Sequence, residues 1–183
     1  MEIIAIVAAR MGSGRFPGKV LEEIGKKPVI QHVVDFLNNL KNDGYLDDII
    51  IATPNTPENE KLWNYLEQKN IKYFKGSNDD VLDRYYQCAI TNKIESIIRI
   101  CADVPFYDRE KIIQQIENYK KDAKFTYGNG AWVFSFRDLE ESWLNGKHHE
   151  DREHVTTRMF NAIDYPDDLE RIRIQYNSKM DKI

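Results

Sequence analysis

Residues 3–21 read IIAIVAARMGSGRFPGKVL. The run from Ile3 to Ala9 is apolar, rich in β-branched residues and too short for an independent helix, which predicts a strand buried on both faces, as in a parallel sheet. It gives way at once to a loop that holds Gly12, Gly14 and Gly18 together with Arg10, Arg15 and Lys19, with no acidic residue among them. In open α/β sheets, ligands bind at the edge where strands end. Glycines let backbone N–H groups approach an anion closely, and guanidinium forks add charge-assisted bonds to phosphate oxygens. The ligand such a loop fits is a polyphosphate, in the first place a nucleoside triphosphate. The competing reading is a solvated basic loop after a core strand.

Two better-known phosphate loops do not fit. A P-loop requires Gly where this chain has Ser13, and Ser or Thr where it has Val20. The dinucleotide fingerprint requires a third glycine where this chain has Pro17.

The 183 residues suit one domain, long enough for a substantial core. A net charge of -4 and a pI near 5.6 exclude a nucleic-acid-coating surface. No stretch approaches the roughly 20 apolar residues of a transmembrane helix. Glu2 stands where a secretory leader would be cationic, so a cytoplasmic protein without membrane or nucleic-acid partners is expected. Cys88 and Cys101 lie in apolar contexts and read as buried free thiols.

Downstream, residues 21–30 (LEEIGKKPVI) carry a turn at Gly25, and an amphipathic helix starts at Pro28 with Val29, Val33, Phe36, Leu37 and Leu40 on one face. His32 lies near that stripe and reads as a structural histidine. Asp48 leads into a second short strand that stops at Thr53-Pro54. A helix follows from Pro57, and a third strand is expected over Ile71–Phe74. Ser77, Asn78 or Asp79 is the expected cap of a helix running to about Asn92. Residues 95–102 (ESIIRICA) form a fourth strand that ends at Asp103-Val104-Pro105. Strand and helix alternating at this rhythm predict βαβ units and a mostly parallel sheet. A further helix from Asp108, a hairpin around Gly128-Asn129-Gly130 and a helix over 137–145 complete the pattern.

Asp103 falls where a central strand ends, on the same rim as the glycine loop. Mg²⁺ is held by a carboxylate or two together with phosphate oxygens and waters, so Asp103 becomes the candidate metal ligand. Its alternative role is to cap the turn. By spacing alone, Arg84 pairs with Asp80 one helical turn back. Arg99, inside a strand, either lines a pocket or meets a buried acid. Residues 148–154 (HHEDREH) are dense in ionisable groups, but zinc requires more convergent ligands than this spacing provides.

Four stretches resemble the sugar-acid cytidylyltransferases, and more narrowly the branch called spore coat polysaccharide biosynthesis protein F. They are ARMGSGRFPGKVL (9–21), NDDVLDRYYQCA (78–89), IIRICADVPF (97–106) and DREHVT (151–156). The resemblance covers the chain to about Phe160. It implies a three-layer Rossmann-like nucleotide-diphospho-sugar transferase fold in one domain over 1–183. It also implies Mg²⁺-dependent transfer of CMP from CTP to a sugar or sugar-acid hydroxyl, in surface polysaccharide or glycan biosynthesis.

The same resemblance implies the residue roles. Ala8, Ala9, Arg10, Met11, Gly12, Ser13, Gly14, Arg15, Lys19, Arg84, Arg99, Ala102 and Asp103 would bind nucleotide. Arg15, Lys19, Asp103 and Glu153 would be catalytic. Asp103 and Glu153 would hold metal, with Asp151 the substitute for Glu153, and Arg152 and His154 would contact the acceptor. Relatives carry a longer loop with an acid near 128–132, which this sequence lacks. A homodimer is expected through about 123–160, with Trp132, Phe134, Phe136 and Trp143 either in that interface or in the core. Residues 164–183 would be a short polar tail. Two other functions remain: a sugar-1-phosphate nucleotidyltransferase using another triphosphate, and a non-catalytic nucleotide-binding subunit.

Overall fold

The structure is a computed structural model, and it describes residues 1–122, 125–128, 130–159 and 173. The chain opens with β1 (Ile4–Ala8), the hairpin of β2 (Glu23–Ile24) and β3 (Lys27–Pro28), then α1 (Val29–Asn42) and β4 (Asp48–Pro54). Next come α2 (Glu60–Gln68), β5 (Tyr73–Gly76), α3 (Val81–Asn92), β6 (Ser96–Cys101) and α4 (Arg109–Asp122). The pair β7 (Thr126–Gly128) and β8 (Ala131–Ser135), α5 (Phe136–Asn145) and α6 (His149–His154) complete it. The expected tail over 164–183 lies outside the described residues, apart from Arg173.

The sheet has six strands in the order β5-β4-β1-β6-β8-β7. β5, β4, β1 and β6 run parallel, whereas β8 is antiparallel to both β6 and β7. Alternate strand residues feed two cores, as the two-residue period of a strand requires. Ala5, Val7, Ile51, Ile98 and Ile100 pack beneath α1, α2 and α4. Ile4, Ile6, Ile50 and Ile97 pack beneath α3 and α5. Three layers result, and burial of both sheet faces explains the unbroken apolar strands. Leu37 of α1 is fully buried, and truncating such a side chain to Ala costs about 2–5 kcal/mol.

The topology locates a ligand. From β1 the chain winds outward through β4 to β5, then crosses back to β6 on the other flank of β1. The crevice at the carboxyl ends of β1 and β6 is thus the switch point of the sheet, where open α/β folds bind ligands.

Several expectations need correction. The third strand begins at Tyr73 rather than Ile71. Asn70 turns left-handed (φ 52), and the Ile71 N–H donates to the Leu66 carbonyl at 2.9 Å, so Ile71 closes α2. Asp80, not one of residues 77–79, caps α3, accepting the Asp83 N–H at 2.8 Å. His32 is structural as expected, bonding through Nε2 to the Ile24 carbonyl at 2.9 Å. Gly128 and Ala131 pair where the hairpin is expected, and Gly130 adopts φ 75; the turn residue at 129 lies outside the described residues. Cys88 and Cys101 are free thiols, the first fully buried and the second half-buried. Phe134 is fully buried, and Trp132, Phe136 and Trp143 pack against the second core. These aromatics fill the interior, with the Tyr86 and Trp143 rings stacked at 4.2 Å.

Candidate active site

The glycine loop is folded around Met11. The Met11 N–H donates to Asn59 Oδ1 at 2.9 Å, and its carbonyl accepts from Ser13 and Gly18 at 3.0 and 2.8 Å. Gly18 adopts φ 77, a left-handed conformation costly for any side chain, and then starts a 3-10 turn over Lys19–Leu21 that buries Val20. Arg10, Arg15 and Lys19 are thereby presented at the end of β1. Asn59 is itself buried and held by Thr56 Oγ1 at 2.8 Å. Sequence reading missed it, because a lone Asn ahead of a helix looks like an ordinary cap.

Asp103 follows β6 on the opposite side of the crevice and forms an ion pair with Lys19. The strand end is braced by Tyr107, whose hydroxyl donates to the Cys101 carbonyl and accepts its N–H, each at 3.1 Å. Tyr107 too was missed, since nothing local marks it. Burial pushes its phenol well above the ordinary range.

Arg84 enters from the first turn of α3. It is 2% exposed, its Nη1 donates to the Ser77 carbonyl at 2.6 Å, and its Nε has no partner among the described residues. Gly76 makes room for it, because a Cβ there would meet Arg84 Cγ at 2.8 Å. The expected alternative of an Asp80–Arg84 pair is not formed. Asp80 is taken by Arg152, and its Oδ2 accepts from Arg152 Nε at 2.7 Å. Burial lowers the Arg84 pKa; Tyr85 opposes that, Arg10 adds to it and Asp80 opposes it, in falling order of size.

Arg99 is 8% exposed on the α3 side of β6. Its guanidinium lies over the Trp132 ring at 4.5 Å, with the Tyr85 ring at 5.9 Å. Among the described residues neither Arg84 nor Arg99 is paired with a carboxylate.

The fourth stretch, 151–156, ends in a strained turn. Val155 has φ 64 and ψ -50, and the Thr156 N–H donates to the His154 carbonyl at 2.6 Å. That is the rare γ-turn with positive φ, unfavourable for a β-branched residue. It turns the chain as α6 ends, where Glu153 and His154 meet the crevice. Asp151, the substitute ligand, points elsewhere. It is buried and accepts from the Lys147 and His148 N–H groups at 3.2 Å and from Arg158. A carboxylate with those donors holds the loop before α6 and is not free for metal.

Most of the expected residues meet. A cleft of about 390 Å³ at the switch point is lined by Ala8, Ala9, Arg10, Ser13, Gly14, Arg15, Lys19, Arg84, Arg99, Asp103, Glu153 and His154, with Val20, Val81 and Cys101 between them. Four do not reach it. Met11 and Gly12 line a groove on the other side of the loop with Pro57 and Glu58. Ala102 is buried in the first core. Arg152 is committed to Asp80 and to the Trp143 carbonyl at 2.9 Å, so it braces α6 against α3 and does not face an acceptor.

Five cations and two carboxylates line this cleft, in a chain whose net charge is -4. Such a surplus in a partly buried site costs stability unless an anion fills it. A family model described as cytidylyltransferase matches residues 4–164. The chain belongs to the cytidylyltransferase family. An uncharacterized protein of Methanocaldococcus jannaschii is 34% identical over 87% of this chain and 68% of its own length. The spore coat polysaccharide biosynthesis protein SpsF of Bacillus subtilis is 30% identical over 69% of this chain and 53% of its own, so this chain spans about half the length of that relative.

Solved structures agree on the fold. A cytidylyltransferase from Leptospira borgpetersenii superposes with a TM-score of 0.74 at 22% identity, covering 86% of this chain and 70% of the other. CMP:2-keto-3-deoxy-manno-octonic acid synthetase complexed with CTP gives 0.69 at 15% identity, covering 98% and 100%. The three-layer, nucleotidyltransferase-like α/β fold implied by the resemblance is the one observed.

Proposed function

We propose that this cleft transfers a cytidylyl group from CTP to a hydroxyl of a sugar acid, releasing pyrophosphate. The observation that carries the reading is the five-cation cleft at the β1/β6 switch point. The triphosphate lies along Arg10–Lys19, held by loop N–H groups and the side chains of Arg10, Arg15 and Lys19, with Arg84 beneath it. The acceptor hydroxyl oxygen attacks the α-phosphorus in line. A new P–O bond forms as the bond to the β-phosphate oxygen breaks, and the pyrophosphate leaves against Arg15 and Lys19. Such catalysis is chiefly positioning and charge neutralisation. Glu153 takes the hydroxyl proton and would help hold a bound Mg²⁺, and His154 contacts the acceptor.

The donor set fits Mg²⁺. Asp103 and Glu153 line one cleft, and among the described residues no cluster of three acidic, His or Cys groups offers an all-protein cage. A carboxylate or two beside substrate phosphates is the usual Mg²⁺ environment. When bound, the ion would offset phosphate charge. CTP as donor and a sugar acid as acceptor are supported by the family and by the CTP complex of the octonic acid synthetase; a role in surface polysaccharide synthesis is supported by the name of SpsF. Assembly as a homodimer and a cytoplasmic location belong to the same proposal, and light scattering and cell fractionation test them.

Pyrophosphate release measured with CTP, UTP, GTP and ATP, with and without Mg²⁺, tests the reaction. Turnover with CTP and a sugar acid is expected, and preference for another base overturns the assignment. Calorimetric CTP binding without turnover on any acceptor points instead to a nucleotide-binding subunit.

A further inference from the structure

We infer that Arg99 binds the acceptor through its carboxylate, and not the nucleotide. This inference rests on the nucleotidyl-transfer reading above. Arg10, Arg15 and Lys19 come from the loop after β1, and Arg84 from α3 beside the end of β5. Arg99 lies on the other side of the switch point, on β6, cross-strand from Trp132 of β8. It is the one cleft-lining cation, among the described residues, that faces the antiparallel half of the sheet.

Its geometry is that of a fixed receptor. The guanidinium carbon lies over the Trp132 ring, 4.5 Å from its centroid, and the indole itself packs against Tyr127, the ring centroids 5.3 Å apart. A cation stacked on an aromatic face keeps its planar N–H edge for a ligand. That edge includes Nε, a buried donor without a partner among the described residues. A buried, unpaired guanidinium is costly, and its natural complement is one planar anion bound by both arms of the fork. Among the described residues no second cleft-lining cation joins it from the β8 side, which matches the single charge of a carboxylate better than a phosphate monoester.

The test begins with calorimetry of CTP and Mg²⁺ on the wild-type protein and on Arg99→Gln, Arg99→Lys and Trp132→Leu. Failure of the wild type to bind CTP would defeat the nucleotidyl-transfer reading and is seen separately. Pyrophosphate release is then followed with a hexuronate, 3-deoxy-manno-octulosonate, a neutral hexose and a hexose 1-phosphate. We expect turnover with a sugar acid only. Arg99→Gln should raise its KM by about 10- to 100-fold, the worth of a charge-assisted pair, with CTP affinity within about twofold. Arg99→Lys should recover part of the loss, and Trp132→Leu should raise the same KM. A parallel loss of CTP affinity in Arg99→Gln overturns the inference. So does turnover of the neutral or phosphorylated sugar alone, an unchanged sugar-acid KM, or CTP binding with no sugar acid accepted.

Discussion

Lys19 and Asp103 stand 84 positions apart in the chain and meet as an ion pair across the carboxyl ends of β1 and β6. Both side chains are partly exposed, at 31% and 40%, so their pairing contributes little to stability, about 0–1 kcal/mol. The juxtaposition is better explained by chemistry at the crevice. Asp103→Asn should leave the melting temperature within a degree or two and leave CTP binding intact or tighter, because it removes negative charge beside the phosphates. Pyrophosphate release should fall by about 100-fold or more, the scale of losing a charged group at a transferring centre. Unchanged turnover in Mg²⁺ would remove Asp103 from the metal site.

Asn59 controls the shape of the loop from a distance. Its Oδ1 is the acceptor for the Met11 N–H, and the Met11 carbonyl in turn gathers Ser13 and Gly18. Asn59→Ala leaves a buried N–H unsatisfied, a cost of about 1–3 kcal/mol. Chemical denaturation should show that loss, and calorimetry should show CTP affinity falling by about tenfold as the loop amides lose their arrangement. A destabilised variant with wild-type CTP affinity would mean that the loop is organised without Asn59.

What the sequence revealed and what it hid differ in range. The apolar run at Ile3–Ala9, the glycines and cations that follow it, and Asp103 at the end of another apolar run are local patterns. Each places itself at a strand end without knowledge of any partner. The Asn59–Met11 bond, the Tyr107 brace on Cys101 and the Asp80–Arg152 pair join residues through tertiary contact, two of them across 48 and 72 positions. No spacing rule reports them. Asp80 shows the consequence: a helical i,i+4 partner in Arg84 was available, but capping α3 and holding Arg152 prevailed. The shift of β5 has the same cause, because left-handed Asn70 ends α2 and an apolar Ile71 beyond it looks like the start of a strand.

Val155 is held at φ 64, in a region that disfavours a Cβ by roughly 1–2 kcal/mol. Its side chain is also 1% exposed in the second core, so any truncation loses apolar burial. Comparing Val155→Gly with Val155→Ala separates the two effects, since both lose nearly the same volume. Glycine is ordinarily worse than alanine by about 0.5–1 kcal/mol. At this position the order should reverse, with Val155→Gly equal to or more stable than Val155→Ala in urea unfolding. The ordinary order would mean that the turn is not strained in solution.

Arg84 is the sharpest case of function set against stability. It is 2% exposed, its pKa is lowered by burial, and among the described residues the polar groups that favour its charge are the Ser77 carbonyl, Tyr85 and Asp80. Replacing a buried cation by an apolar residue of similar length is often neutral or stabilising by about 1–4 kcal/mol. Arg84→Met should therefore melt at or above the wild-type temperature without ligand. It should bind CTP about 10- to 100-fold more weakly, having lost a charge-assisted contact. The stabilisation that CTP confers on the wild type rises with the logarithm of ligand concentration over Kd, so at one fixed CTP concentration the two proteins should exchange rank in a thermal shift assay. If Arg84→Met is instead destabilised without ligand and keeps its CTP affinity, the guanidinium is a structural strut for the Ser77 turn and not part of the nucleotide site.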